Sequence, residues 1–298
     1  MNKSEHFKSG FVAVVGRPNV GKSTMINALI GDKIAIVSDK AQTTRNRIIC
    51  VYTDEEKQIV FMDTPGVHKP KHKLGEFMVE AAIESLKETE AVLFVVAGNE
   101  KRGPGDNFII EQLKRVKVPV FLVVNKIDTL QKEQLLEAIV SYQDAYPFAG
   151  VIPISAKNKD NLEELLNVLS KNLPEGPQYF PEDMITDQPE RLIISDIVRE
   201  KILLSTRDEI PHAIAVDVDE MKTRDDGTTY IRATIYCERD SQKGIIIGKK
   251  GALLKQLGAE ARADIQKLLA TKAYLDLWVK VKKDWRNKSG MLSELGYK

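Results

Sequence analysis

The chain has 298 residues, of which 29% are charged and 43% hydrophobic, and its formal net charge at pH 7 is +1. These proportions are those of a soluble globular protein, and the length suggests about two domains. The two cysteines cannot form a disulfide framework, no signal-peptide pattern opens the chain, and no apolar run approaches the roughly 20 residues that cross a bilayer, so we expect a cytoplasmic protein.

Apolar runs alternate with amphipathic stretches in the first part of the chain, which predicts βαβ units and a mostly parallel sheet with helices on both faces. The predicted strands cover residues 11–15, 48–52, 58–62, 92–96, 120–124 and 151–153. The predicted helices cover residues 21–30, 74–86, 106–115, 132–142 and 161–171.

A phosphate-binding loop follows the first predicted strand, where the sequence fits G-x-x-x-x-G-K-S and opens a helix. Its residues are Gly16, Arg17, Pro18, Asn19, Val20, Gly21, Lys22 and Ser23, and Thr24 follows. The glycines let backbone amides surround phosphates, Lys22 supplies a cation to the β- and γ-phosphates, and the Ser23 hydroxyl is a ligand for Mg²⁺.

Two further segments are expected to complete the phosphate and metal site. Thr43 and Thr44 are candidates to close on Mg²⁺ and the γ-phosphate, and the sequence does not choose between them. Asp63, Thr64, Pro65 and Gly66 form D-x-x-G after the third strand, where Asp63 would hold Mg²⁺ through its water shell and Gly66 would offer an amide to the γ-phosphate. The predicted catalytic set is Lys22, Thr43, Thr44, Asp63 and Gly66.

The base is predicted from motifs at the ends of the last two strands. Asn125, Lys126 and Asp128 belong to N-K-x-D, and Ser155, Ala156 and Lys157 to S-A-K. A carboxylate at Asp128 accepts hydrogen bonds from N1–H and the 2-amino group of guanine, whereas adenine offers neither donor, so the pair selects guanine by roughly 10⁴-fold. Asn125 would join the loops, the Lys126 stem would cover the base, and the Ala156 amide would point to the guanine O6.

These motifs resemble those of the Era/TrmE/EngA-like group of translation-factor-related GTPases, with a Ras-like P-loop fold. Ras-like enzymes carry a catalytic Gln immediately after the D-x-x-G glycine, but this chain has Val67 there, which cannot orient a water molecule. The resemblance implies that the water is handled otherwise, and that Asn19 occupies a position that helps to bind K⁺. We therefore expect slow GTP hydrolysis that K⁺ stimulates.

The amino-acid composition changes after residue 173, where five prolines and glycines within sixteen residues indicate a linker. The predicted domains are a G domain at 1–173, a linker at 174–189 and a second, smaller α+β domain at 190–298. In the second domain we expect a helix at 190–204, strands at 214–219, 229–238 and 274–282, a glycine-rich loop, and a helical stretch at 252–270 with a break at Gly258. The order is α-β-β-α-β.

A G-x-x-G loop precedes the long helical stretch, and its candidate RNA-binding residues are Lys243, Ile247, Gly248, Lys249, Lys250 and Gly251. Residues 243–288 carry twelve Lys or Arg against four carboxylates, a net +8 on an otherwise acidic chain, which favours a polyanionic partner. The segment resembles a type II KH domain, whose G-x-x-G loop clamps a single-stranded backbone. Residues 245–247 and Leu253 are expected to form the groove wall. Two roles stay open for Trp278 and Trp285, stacking on bases and packing against the first helix of this domain, and we favour the second.

One G domain followed by one KH domain is the arrangement of the Era family, and this resemblance spans essentially the whole chain. It implies binding to the 3′ end of small-subunit ribosomal RNA, a role in small-subunit maturation, and a monomer that uses GTP, GDP and Mg²⁺. Two alternatives stay open: an RNA-binding assembly factor with a mainly structural nucleotide, and a GTPase in peripheral contact with the inner face of the cell membrane. A metabolic P-loop kinase is disfavoured by the N-K-x-D and S-A-K motifs.

Overall fold

The computed structural model describes residues 6–38, 40, 43–67 and 72–297, which divide between two compact units. The first unit consists of Met1–Ala35, Gln42–Lys71 and Gly75–Asp187. The second consists of Gln188–Lys298 together with the short segments Ile36–Ala41 and His72–Leu74. Each unit is described below by itself.

A six-stranded sheet forms the centre of the first unit, in the order β2-β3-β1-β4-β5-β6. Its strands are β1 (Lys8–Val15), β2 (Ile48–Thr53), β3 (Lys57–Asp63), β4 (Ala91–Ala97), β5 (Val120–Asn125) and β6 (Gly150–Pro153). Every neighbouring pair is parallel except β2 and β3, which form an antiparallel hairpin. The carboxyl ends of the parallel strands therefore lie at one edge of the sheet, which is where open α/β sheets bind ligands.

Helices cover both faces of this sheet, as predicted. They are α1 (Lys22–Ile30), α2 (Lys73–Glu84), α3 (Pro104–Leu113), α4 (Lys132–Gln143) and α5 (Leu162–Asn172). Residues of α1 and α5 pack into one core cluster with one set of strand side chains. Residues of α2, α3 and α4 pack into a second cluster with the alternate set, so every side chain of β4 is buried.

The segment predicted as a linker follows the surface of the first unit through hydrogen bonds to its strands. The Ser9 amide donates to the Pro174 carbonyl (3.1 Å), and the Val51 amide donates to the Ile185 carbonyl (2.9 Å). The buried Gln58 side chain accepts the amides of Tyr179 (2.8 Å) and Phe180 (2.9 Å). These hydrogen bonds hold residues 174–186 against the strands of the first unit.

The second unit contains a three-stranded sheet with three of its helices packed on one face. Its elements are α6 (Glu190–Ser205), α7 (Ile210–Ala213), β7 (Ala215–Thr223), β8 (Thr229–Cys237), α8 (Asp240–Ile247), α9 (Ala252–Leu269), β9 (Ala273–Val281) and α10 (Ser289–Glu294). The strand order is β7-β8-β9, with β7 antiparallel and β9 parallel to the central strand. Apolar residues of α6, α8 and α9 pack on the inner side chains of all three strands.

Three predictions about the second unit are wrong. The stretch before the G-x-x-G glycines is the helix α8, so the core order is α-β-β-α-α-β. The helical region is divided at Gly248–Gly251, and α9 runs unbroken through Gly258. Trp278 lies on the sheet face opposite the helices and is 54% exposed, whereas Trp285 is buried and donates its Nε1–H to the Ala213 carbonyl.

Within the described residues, every helix is too short or too polar to span a bilayer.

Candidate nucleotide and nucleic-acid sites

The phosphate loop joins β1 to α1 at the carboxyl edge of the first sheet. A side chain at Gly16 would place its Cβ 2.3 Å from the Val95 carbonyl oxygen, so only glycine fits against β4. Gly21, at the N-terminus of α1, has a left-handed backbone with φ 98°, and Asn19 is also left-handed. The loop thus curls tightly before a helix whose free amides and dipole favour an anion.

Lys22 turns its ammonium back into this loop. Its Nζ donates to the carbonyls of Gly16 (3.1 Å) and Arg17 (3.0 Å), and the side chain is almost fully buried. Burial lowers the pKa of Lys22 to about 8, although the nearby Asp63 carboxylate acts in the opposite direction. An ammonium held in a ring of backbone groups is suited to a phosphate oxygen.

Three oxygen ligands meet beside Lys22. The Ser23 hydroxyl donates to Asp63 Oδ2 (2.8 Å) and lies 2.9 Å from the Thr44 hydroxyl, which is itself 3.3 Å from Asp63 Oδ2. Of the two candidate threonines, Thr44 has its hydroxyl in this cluster. The cluster gathers the hydroxyl and carboxylate oxygens that Mg²⁺ prefers.

The Asp63 carboxylate has spare coordinating capacity. Asp63 is completely buried, and its Oδ1 has no hydrogen-bond partner among the described residues. Burial raises the pKa of this carboxyl, while the Lys22 ammonium and the Ser23 and Thr44 hydroxyls oppose that rise. An orphaned, buried carboxylate oxygen fits a cation, so the residues present are consistent with bound Mg²⁺.

The D-x-x-G segment rests on the phosphate loop. The Thr64 hydroxyl donates to the Val14 carbonyl (2.7 Å), and the Val67 amide donates to the Gly16 carbonyl (3.1 Å). A Cβ at Gly66 would lie 2.7 Å from the backbone of Pro18. Val67 belongs to the core under α2 and α3, so the residue that replaces the Ras-like Gln is directed away from water.

Asn125 joins three parts of the base pocket, as the sequence predicted. Its side-chain amide donates to the Val20 carbonyl (2.9 Å), and its Oδ1 accepts the amides of Lys126 (2.8 Å) and Ala156 (3.0 Å). This side chain therefore connects the phosphate loop to the N-K-x-D and S-A-K motifs.

Asp128 is held at the mouth of the same pocket. Its Oδ1 accepts the Ser155 hydroxyl at 2.6 Å, and Ser155 is fully buried. Asp128 itself is exposed, so its other oxygen can reach a ligand. Thr24, Ala156 and Lys157 line one shallow cavity between α1 and the S-A-K motif.

A buried carboxylate that the sequence analysis missed holds the phosphate loop from α3. Asp106 is fully buried, and its Oδ1 accepts Nε–H of Arg17 at 2.9 Å while its Oδ2 accepts the Gly103 amide. Arg17 also pairs with Glu100 (2.9 Å), which lies 3.6 Å from the Lys126 ammonium. The only sequence signal was an acidic residue in the first turn of a helix, which is usually read as capping.

The G-x-x-G loop of the second unit joins α8 to α9. Gly248 has φ 73° and ψ 176°, a conformation open essentially only to glycine, and Gly251 is left-handed with φ 79°. Lys249 and Lys250 project from the loop and are exposed, whereas Lys243 and Ile247 on α8 are half-buried. The loop thus offers a close backbone approach flanked by two cations.

A groove adjoins this loop, between α9 and β9. It is lined by Gly251, Leu254, Lys255, Gly258, Ala259, Arg262, Leu275 and Leu277. Its apolar wall comes from Leu254, Leu275 and Leu277. Of the residues predicted for the wall, Ile246 lies in the core, Ile245 is 53% exposed, and Ile247 and Leu253 are partly buried against the core.

Known proteins match both units. Residues 11–126 match the family described as 50S ribosome-binding GTPase, and residues 209–286 match the KH domain family. A solved structure of Era in complex with MgGDPNP and nucleotides 1506–1542 of 16S ribosomal RNA is 43% identical, with a TM-score of 0.95 over 98% of this chain and 99% of that one. A variant of Aquifex aeolicus Era bound to GDP.AlF4⁻ is also 43% identical, with a TM-score of 0.94 over the same shares.

Proposed function

This chain belongs to the Era family of GTPases, and from that premise we propose that it couples GTP hydrolysis to the binding of small-subunit ribosomal RNA. The observation that carries the proposal is the cluster of Ser23, Thr44 and Asp63, in which a buried Asp63 oxygen has no described partner. Hydroxyl, hydroxyl and carboxylate beside a phosphate loop are the protein ligands of a Mg²⁺–nucleotide site.

Hydrolysis would depend on charge placed around the γ-phosphate. Ser23 and Thr44 would ligate Mg²⁺ and Asp63 would hold it through its water shell, and the ion would supply positive charge to the phosphate oxygens. Lys22 supplies a second, buried positive charge, and the Gly66 amide is the donor on the opposite side. Because the Val67 side chain is packed in the core, it cannot position the attacking water, and we therefore expect slow intrinsic turnover.

Potassium would stimulate this reaction through Asn19. Asn19 is exposed on the phosphate loop in a left-handed conformation, and a side-chain amide oxygen is the type of ligand that a hard cation beside the phosphates accepts. We expect faster phosphate release in K⁺ than in Na⁺ at equal ionic strength, with the difference lost in Asn19→Ala. Equal rates in both salts would remove K⁺ from the mechanism.

The second unit would bind single-stranded RNA in its groove. Gly248 and Gly251, which both have positive φ, allow the sugar–phosphate chain to approach the loop closely. Lys249, Lys250 and Arg262 supply positive charge to its phosphates. The expected target is the 3′ end of small-subunit ribosomal RNA, because a relative that is 43% identical binds nucleotides 1506–1542 of 16S ribosomal RNA. The proposed role is small-subunit maturation in the cytoplasm, as a monomer; the family name that mentions the 50S subunit describes the GTPase region alone.

RNA affinity in two nucleotide states tests this function. RNA covering nucleotides 1506–1542 is titrated against the protein with GDP and with a non-hydrolysable GTP analogue. Tighter binding with the analogue, lost in Gly248→Asp/Gly251→Asp, is the expected result. Equal RNA affinity in both nucleotide states would favour the alternative function, an assembly factor in which the nucleotide is mainly structural.

The membrane alternative is tested in the same series. Vesicles that contain anionic lipid replace the RNA, at the same two nucleotide states. Binding to vesicles without binding to RNA would assign the basic segment to a membrane surface. No binding to either would contradict the KH assignment.

A further inference from the structure

The sheet of the second unit has α6, α8 and α9 on one face, and large aromatic side chains emerge from part of the opposite face. Tyr274 and Trp278 are 50% and 54% exposed, although aromatic residues of this size are usually well covered. Both lie on β9, and Tyr230 stands beside Tyr274 on β8. We call Tyr230, Tyr274, Trp278, Arg224 and Arg232 the aromatic face.

The aromatic face is preorganised. The Tyr230 and Tyr274 rings stack with centroids 5.9 Å apart and planes at 12°. The Arg224 guanidinium lies over both rings, 4.9 Å and 5.1 Å from their centroids, and that of Arg232 lies 5.8 Å from the Tyr230 centroid. A guanidinium over aromatic rings is a favourable contact that also offers donors to a phosphate.

Asp276 fixes these side chains relative to one another. Its Oδ2 accepts the Trp278 Nε1–H (3.0 Å) and the Tyr230 hydroxyl (3.1 Å), and it lies 3.5 Å from Arg232 Nε. Two neighbouring carboxylates are engaged by other side chains of the sheet. Glu220 pairs with Lys222 (2.8 Å) and Arg232 (3.6 Å), and Asp219 accepts the Thr234 hydroxyl (2.6 Å).

The aromatic face is continuous with the groove. Successive side chains of a strand point to opposite sides, so Leu275 and Leu277 line the groove while Tyr274 and Trp278 emerge on the outer side of the same strand. In the order β7-β8-β9, β9 is an edge strand. A chain that leaves the groove around this edge meets the rings within the width of one strand.

We propose that the aromatic face is a second RNA-binding surface, on which unpaired bases of the RNA that occupies the groove stack against Trp278 and Tyr274. The proposal rests on the proposed function, because it takes the RNA to be already held at the G-x-x-G loop. Aromatic side chains on an open sheet with neighbouring cations are how many proteins hold single strands without reading their sequence.

The length of the RNA favours RNA, rather than a protein, as the partner of the aromatic face. A G-x-x-G groove clamps about four nucleotides. The relative that is 43% identical carries nucleotides 1506–1542, a segment several times longer than such a groove. Residues 243–288, which include Tyr274 and Trp278, also carry the net positive charge of the unit.

Tryptophan emission tests the proposal directly, because the chain has two tryptophans in opposite environments. Trp278 is exposed, whereas Trp285 is buried and stacks on Tyr297, so Trp285 is an internal reference. RNA covering nucleotides 1506–1542 is expected to quench the emission. A short oligonucleotide from its 3′ end, which fills the groove alone, is expected to leave the emission unchanged, and Trp278→Phe should abolish the quenching.

Affinity supplies the second readout. In Tyr274→Ala/Trp278→Ala, the Kd for the long RNA is expected to rise about tenfold or more, as stacking contacts of this kind predict, while the Kd for the short oligonucleotide stays constant. Leu204→Ala removes another exposed apolar side chain of the same unit, from α6, and should change neither Kd.

The outcomes separate this proposal from the proposed function. Failure of the wild-type protein to bind the short oligonucleotide contradicts the groove, not the aromatic face. Long RNA that binds without quenching, or with equal affinity to wild type and the double alanine variant, overturns the proposal and leaves the aromatic face to a protein partner.

Discussion

At the scale of single residues, the base pocket depends on one hydrogen bond that precedes any ligand. The buried Ser155 hydroxyl donates to Asp128 Oδ1 at 2.6 Å, and its oxygen accepts the Asn158 amide at 3.2 Å. The carboxylate is thus oriented before guanine arrives. Preorganisation of this kind lowers the ordering cost of binding, so Ser155 should act through Asp128 rather than on the base.

Substitution of either residue should weaken GDP binding to different degrees. Ser155→Ala loses one hydrogen bond, worth about 1 kcal/mol, and should raise the Kd about fivefold with the preference for guanine intact. Asp128→Ala leaves two guanine donors without an acceptor and should raise the Kd at least a hundredfold. Calorimetric titration with GDP and with IDP, which lacks the 2-amino group, measures both effects. Asp128→Ala should bind the two nucleotides alike, and a retained preference for GDP would contradict this role of Asp128.

Substitution of Gly66 should impair GTP hydrolysis and leave nucleotide binding nearly unchanged. A Cβ there would lie 2.7 Å from backbone atoms of Pro18, so Gly66→Ala must push the D-x-x-G loop off the phosphate loop. We expect phosphate release to fall about a hundredfold, as for the loss of one catalytic donor, with GDP affinity within about threefold of wild type. In the matched control, Gly103→Ala, the nearest atom to the new Cβ is 3.8 Å away, and turnover should be unchanged. Equal turnover in Gly66→Ala and wild type would contradict the role of this loop.

Some site residues could be predicted from the sequence and others could not. Asn125, Asp128 and Ser155 lie where their motifs predict, because the ends of adjacent parallel strands necessarily meet at one sheet edge. The choice between Thr43 and Thr44 needed coordinates, since neighbouring residues have the same chemistry. Asp106 was missed because its partner, Arg17, is 89 residues away in the chain.

At the scale of elements, the strands of the first unit were predicted more accurately than the helices of the second unit. Buried strands are continuous apolar runs, and all six strands of the first unit begin and end within three residues of the prediction. Helix α8 was missed because Gly244 and three consecutive isoleucines disfavour a helix. Tertiary contacts override that preference: Ile246 is buried in the core, and the Gln242 side chain accepts the amides of Glu238 and Arg239 at the start of the helix.

The two glycines of the G-x-x-G loop should differ in their tolerance of a side chain. Gly248 has φ 73° and ψ 176°, and a Cβ there would lie 2.8 Å from the Leu253 Cβ, whereas a Cβ at Gly251 meets open space. Gly248→Ala should therefore destabilise the unit by about 2–3 kcal/mol. Gly251→Ala should cost only the left-handed backbone, about 1 kcal/mol. Urea unfolding followed by Trp285 emission measures both, and equal losses would contradict the strain assigned to Gly248.

At the scale of the whole molecule, each unit carries one buried cysteine. Cys50 is on β2 and Cys237 is on β8, and both are 0% exposed. Burial raises the pKa of both thiols, so few thiolates are present at neutral pH and the folded protein should resist alkylation. A labelled cysteine therefore reports that its own unit has opened.

Ligands should then protect the two cysteines selectively, because a ligand stabilises only the unit that binds it. With GDP and Mg²⁺ at a hundred times the Kd, the first unit gains about 2.7 kcal/mol, so alkylation of Cys50 in mild denaturant should slow about a hundredfold while that of Cys237 is unchanged. RNA at the same excess should instead slow the alkylation of Cys237 and leave that of Cys50 unchanged. Mass spectrometry of the two labelled peptides gives both rates from one sample, and Cys50→Ala and Cys237→Ala identify each signal. Equal slowing of both cysteines by GDP would mean that the units unfold together, and no slowing of Cys50 would mean that the edge strand β2 opens locally while the nucleotide site stays folded.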